Sequence, residues 1–204
     1  MDITQLILDD HHEQRRLFAM LEQIDRSDVT SLMAMWSRLS IFLELHASAE
    51  EKLFYPVLLG IGKGADETSV TEETEDAIKD HNQIRDAITA VAKHPVGSDA
   101  WLEAVAQVNH VNSDHMGEEE RQGLTDVRRH AGLGERHRLA VAFATFEAVH
   151  AEGVKPVDQD PKAYVERITG RPVTPTTTLR SNENRTMKEK PLNDRGGITV
   201  DAQR

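Results

Sequence analysis

An all-α fold, an antiparallel up-down four-helix bundle with an additional C-terminal helix and a largely irregular tail, is what this 204-residue sequence predicts. Three observations lead there. Apolar residues recur at helical spacing through four successive stretches before residue 130. Short clusters of turn formers separate those stretches. Aromatic residues make up only 4% of the chain and no Val/Ile/Thr alternation is evident, which argues against a sheet.

The first helix is expected from Ile3 to about Ile24, with Ile7, Leu8, Phe18 and Leu21 in phase and Asp2 with Gln5 as a capping box. Ser27-Asp28 supplies a turn, and Thr30 or Ser31 is expected to cap the second helix. One face of that helix carries Leu32, Met35, Leu39, Phe42, His46, Glu50 and Leu53. Pro56 should bend or end it, since proline has no N–H and crowds the preceding turn. After a loop with Gly60, Gly62 and Gly64, Ser69 and Glu72 open a third helix through Ala77, His81, Ile84, Ile88 and Val91. His94-Pro95-Val96-Gly97 stops it. Ser98 caps a fourth helix, on which Trp101, Val105, Val108, Asn112, His115 and Glu119 share a face.

A fifth, weaker helix is expected over about Glu135 to His150, with Leu139, Phe143 and Phe146. From Gly153 onward, Pro156, Pro161, Pro172, Pro175 and Pro191 punctuate a polar segment that reads as disordered or extended, with a short helix near Ala163–Ile168. The expected organisation is therefore 1–130 bundle, 131–152 additional helix and 153–204 tail.

The charge balance narrows the function. A formal charge of −11, with no basic run in the first 120 residues, suits a nucleic-acid backbone poorly. The absence of cysteine removes disulfides, thiolate nucleophiles, Fe–S clusters and Cys-type zinc sites. Any metal must be held by His, Glu, Asp or Tyr. No apolar run is long enough to span a bilayer and no leader-like segment opens the sequence, so a cytoplasmic chain, monomeric or weakly dimeric, is the expectation.

Overlaying the two halves of the bundle exposes a repeat. Asp10-His11 answers Asp80-His81, and His46-x-x-x-Glu50-Glu51 answers His115-x-x-x-Glu119-Glu120. Residues four apart on a helix lie about 40° apart around the axis and about 6 Å apart along it, so each His/Glu pair can reach one metal or two adjacent ones. A lone His on a half-apolar face is more often packed or solvated than ligating, and His-x-x-x-Glu arises by chance in acidic helices. The weight lies in four elements, in order, on four helices, each on the apolar face. Four imidazoles and two carboxylates buried without a metal would bear a heavy desolvation cost. Iron, manganese or zinc would accept these donors, with carboxylates bridging a pair of ions.

The ordered pattern H…HxxxE…H…HxxxE resembles that of the hemerythrin-like (HHE cation-binding) family, over about Ile3 to Val127. The resemblance implies that His11, His46, Glu50, His81, His115 and Glu119 ligate two iron ions joined by an oxo or hydroxo bridge. It implies a chemistry of O2, nitric oxide, stored iron or peroxide.

Several positions need separate treatment. His11 is preferred over His12 because it shares a face with Ile7, Leu8 and Phe18. His110 lies five residues before His115 and points about 140° away. Tyr55, just before Pro56, would point away from Glu50 on a straight helix, but a break there can swing the phenol inward as a ligand or a donor beside the metals. The second half has Leu124 at that place, so a tyrosine contribution is one-sided. Glu51 and Glu120 turn off the ligand face and should be solvated or paired with Arg, and Glu44 should belong to a charged face. Asp10 and Asp80 are candidates to accept a bond from a ligand His on another helix. The expected function is peroxide decomposition of the catalase type, with Tyr55 as catalytic residue; the alternative is a module that binds O2, NO or iron without turnover.

Overall fold

The computed structural model describes residues 1–65 and 68–171; of the tail expected over 153–204, residues 172–204 lie outside them. Among the described residues the chain is all-helical: α1 (Ile3–Gln23), α2 (Val29–Ala49), a π turn (Glu50–Phe54), α3 (Tyr55–Ile61), α4 (Val70–Val91), α5 (Asp99–Arg121), α6 (Gly123–His130), α7 (Leu133–Val149) and α8 (Pro161–Thr169). Among the described residues, no helix is long and apolar enough to cross a membrane.

Local chemistry accounts for most boundaries. Asp2 caps α1 by accepting the Thr4 N–H at 2.9 Å. Asp28, not Thr30 or Ser31, caps α2, because its carboxylate accepts the Ser31 N–H at 3.0 Å from just outside the helix. Ser69 and Glu72 form the reciprocal capping box of α4, and Ser98 caps α5. The buried carboxylate of Asp126 on α6 accepts the N–H groups of Lys63 and Gly64 at 2.7 and 2.8 Å and so ties down the loop after α3.

Pro56 does not simply end α2. The helix first loosens into the π turn, in which the Tyr55 N–H reaches back five residues to the carbonyl of Glu50. On an unbroken α-helix Tyr55 would sit about 140° from Glu50; the wider turn brings it back toward the same face. Pro56 has no N–H to offer the Glu51 carbonyl five residues before it. That carbonyl is taken instead by the hydroxyl of Tyr164 on α8.

Packing sorts into two apolar clusters with a polar layer between them. Leu17, Leu21, Leu32, Leu39, Val91, Trp101 and Val105 lie in one cluster. Ile3, Ile7, Phe54, Leu58, Ile78, Leu124, Phe143 and Tyr164 lie in the other. The intervening helical turns carry His11, Gln14, His46, His81, Asn112 and His115, all buried. α7 packs on α1, α2 and the π turn, and α8 packs on α3 and α4, so residues 43–51 are buried all round rather than on one face.

The segment from Gly153, expected to be largely irregular with a short helix near Ala163–Ile168, contains α8, whose Tyr164 and Val165 are 2% and 1% exposed. Gln159 exchanges two hydrogen bonds with the Asn82 side chain at 2.7 and 3.1 Å, and its amide donates to Glu51. Tyr164→Phe keeps the packing but strands the Glu51 carbonyl. Urea unfolding should show a loss of about 1–3 kcal/mol with unchanged helical circular dichroism.

Candidate metal centre

His11, His46, Glu50 and Glu119 bring ligand atoms within 4.8 Å of one another, and Glu50, His81 and His115 do the same beside them. Glu50 belongs to both groups. Its Oε1 lies 2.8 Å from His46 Nε2, and its Oε2 lies 3.2 Å from His81 Nε2 and 4.0 Å from His115 Nε2. His11 Nε2 faces Glu119 Oε2 at 3.3 Å, and the Nε2 atoms of His81 and His115 approach to 3.1 Å. All six side chains predicted from the repeat are thus gathered in one buried layer. His12 is exposed, and His110 is two-thirds exposed beside Asp114.

The donor atoms fit a cation better than they fit one another. His11 Nε2, His46 Nε2 and both carboxylate oxygens of Glu50 and Glu119 are buried with no aligned hydrogen-bond partner, short as some of the distances are. Orphaned groups of that kind each cost a few kcal/mol, and a shared divalent cation satisfies them together. Without metal the layer must share protons. Burial opposes a charge on His46, but the charges of Glu50 and Asp10 outweigh it and hold its pKa well above the ordinary imidazole value. His81, between Glu50 and Glu51, is pushed up to about 9 against the same burial. Glu50 is held well below the usual carboxylate range: burial pushes it up, and His46 and His81 pull it down further. A metal entering this layer would therefore release protons.

Behind each imidazole stands a second carboxylate. His11 Nδ1 meets Glu120 Oε1 at 3.0 Å, and His81 Nδ1 meets Glu51 Oε1 at 3.0 Å. His46 Nδ1 lies 3.3 Å from Asp10 Oδ2, and His115 Nδ1 lies 3.8 Å from Asp80 Oδ2. The first three contacts are hydrogen bonds that hold their rings with Nε2 inward, and Asp80 stands within ion-pair reach of His115. Glu51 and Glu120 were expected to be solvated or to pair with Arg. Both do pair with Arg, through Arg85 at 2.9 Å and Arg15 at 2.8 Å, but Glu51 is buried and each also holds a histidine. Glu44, expected on a charged face, is buried and bound to Arg85 Nε at 2.9 Å. The offset of Glu51 and Glu120 from their own helix's ligand face was legible, but the histidine that each meets sits on a neighbouring helix.

Tyr55 is 1% exposed and its Oη has no aligned hydrogen-bond partner. Its ring packs 5.8 Å from that of His81. Burial, reinforced by the charges of Glu119 and Glu50, raises its pKa well above the ordinary phenol value, so it stays a neutral O–H in the metal-free protein. Together with Leu58, His115 and Glu119 it lines a small chamber of about 20 Å³, room for about one water.

On the outer side, Glu147 of α7 lies against Asp10 and His46. Burial, helped by the charge of Asp10, raises the Glu147 pKa to about 7. The folded protein therefore binds a proton that the unfolded chain releases at a lower pH, so this group costs stability as pH rises from about 4.5 to 7. Glu147→Gln should leave the metal-free protein unchanged at pH 4. At pH 8 it should be more stable by about 1–2 kcal/mol after screening, read from paired denaturant titrations.

Set beside known families, the sequence matches the hemerythrin HHE cation binding domain over residues 2–124. The fold is similar to the crystal structure of a hemerythrin HHE cation binding domain-containing protein from Mycobacterium kansasii, with TM-score 0.63 and 16% identity, covering 82% of this chain and 99% of that one. No curated protein matches the sequence. The family match spans more than half of the chain and ends just beyond the last of the gathered donors, Glu119; the chain belongs to the hemerythrin HHE cation-binding family.

Proposed function

We propose that this chain holds two iron ions in the buried His/Glu layer and decomposes hydrogen peroxide there, in a bundle whose four long helices alternate up and down. The sorting of helix ends supports that topology: the end of α1 and the start of α2 share one apolar cluster with the end of α4 and the start of α5. The observation that carries the metal reading is the double membership of Glu50, whose two orphaned oxygens face different histidines. A carboxylate so placed suits a bridge between two ions. His11, His46 and Glu119 would complete one ion's protein donors, and His81 and His115 the other's. The second group has one donor fewer, and we read Tyr55, packed on His81, as a neutral hydrogen-bond donor beside it.

Two irons, when bound, supply a two-electron couple that no side chain here possesses, and zinc would not. The overall balance is two H2O2 to O2 and two H2O. One peroxide gives up two electrons and two protons and leaves as O2; the other takes both, and its O–O bond breaks. The chain's part is to handle those protons and select the solute. Tyr55 Oη can hold a proton at the chamber wall. A chamber with room for about one water excludes larger reductants.

Protein from iron-fed cells should contain about two irons per chain, absorb in the near ultraviolet and release O2 from peroxide. His46→Ala should lose iron and O2 release together. Tyr55→Phe should keep its iron and release O2 about 100-fold more slowly. Less than half an iron per chain after reconstitution would sink the reading. A reversible O2 spectrum with no peroxide turnover would replace it with a binding module.

A further inference from the structure

The repeat explains the buried layer but leaves a group of acidic side chains between α4 and α5 without a role. Asp76, Asp80, Asp114 and Glu118 line an open cleft of about 340 Å³, against the single ammonium of Lys79. Gln83 and Val111 complete its wall. Asp76 and Glu118 are exposed and enter no ion pair among the described residues; Asp114 has only His110, at 3.6 Å. Like charges gathered this closely on an exposed face repel one another, a modest but real cost to the fold.

The cleft is not a closed surface feature. Asp76, Asp80 and Glu118 also line the small chamber that holds Tyr55, His115 and Glu119. At the chamber's inner wall stand two side chains at least nine-tenths buried with orphaned oxygens, Tyr55 Oη and Glu119 Oε1. A graded run of oxygen donors thus leads from solvent inward: exposed Asp114 and Glu118, half-buried Asp80, then buried Glu119.

Resting on the metal-binding reading above, we propose that the α4–α5 cleft is the route by which divalent cations reach the buried layer. The negative field concentrates cations at the mouth and raises their on-rate. The chamber has room for about one water, so a hydrated ion must shed its shell outside it, where Asp76, Asp114 and Glu118 can replace departing waters one at a time. Asp80 stands at the junction, 3.8 Å from His115 Nδ1, and links the cleft to the first imidazole that an incoming ion meets. An uncharged solute such as peroxide can use the same opening but gains nothing from its charge.

The test is the rate of Co(II) uptake by the metal-free full chain, followed by the visible d–d absorption. The variant Asp76→Asn/Asp114→Asn/Glu118→Gln touches none of the six gathered donors. It should take up cobalt at least about 10-fold more slowly at low salt while reaching the wild-type stoichiometry and spectrum. Added salt should slow wild type several-fold and leave the variant nearly unchanged. A control with the same charge change elsewhere, Asp9→Asn/Glu22→Gln/Glu103→Gln, should load like wild type; circular dichroism confirms that all three fold. Equal rates for wild type and the cleft variant overturn the route, as does equal slowing in the control. If no protein binds cobalt at all, the metal-binding reading fails first and the route falls with it.

Discussion

Six ionisable side chains meet in the middle of a helical bundle, and keeping them there constrains everything around them. Burying imidazoles and carboxylates without compensation costs several kcal/mol per group. The chain meets this constraint in two ways. Outward-facing nitrogens are each given a carboxylate, and the inward-facing His11 Nε2, His46 Nε2 and oxygens of Glu50 and Glu119 have no aligned partner, so that a cation can satisfy them. The apolar clusters on either side keep water from doing so instead.

The repeat is wired across its own halves. Asp10 and Asp80 each support the histidine on the second helix of their own half, His46 and His115. Glu51 and Glu120 cross over and support the first histidine of the opposite half, His81 and His11. No half is therefore complete without the other. Symmetry fails at one place. Beyond Glu50 the chain loosens into a π turn and delivers Tyr55, whereas beyond Glu119 it breaks at Gln122 and delivers Leu124 into the apolar cluster.

Helical phase alone separated His11 from its neighbour His12, because the two differ by about 100° and only one shares a stripe with Ile7 and Phe18. The same reasoning set His110 aside, and the repeat pointed to all six gathered donors. What the sequence could not disclose was contact between helices. Glu51 reads as a surface residue on its own helix and becomes buried only because Arg85, Gln159 and Tyr164 close over it. Likewise α8 is short and polar in composition, and its burial depends on a hydrogen-bond vacancy created a hundred residues earlier by Pro56. Asp28 as the α2 cap was a local signal that the flanking Thr30 and Ser31 obscured.

That vacancy bears on how the protein is made. The Glu51 carboxylate and carbonyl receive their last partners from Gln159 and Tyr164, which leave the ribosome long after His115 and Glu119. A nascent chain can assemble all six inward donors while the support of His81 is still incomplete. Completion of α8 then acts as a final latch on the metal layer, so that order in synthesis separates gathering the donors from fixing them.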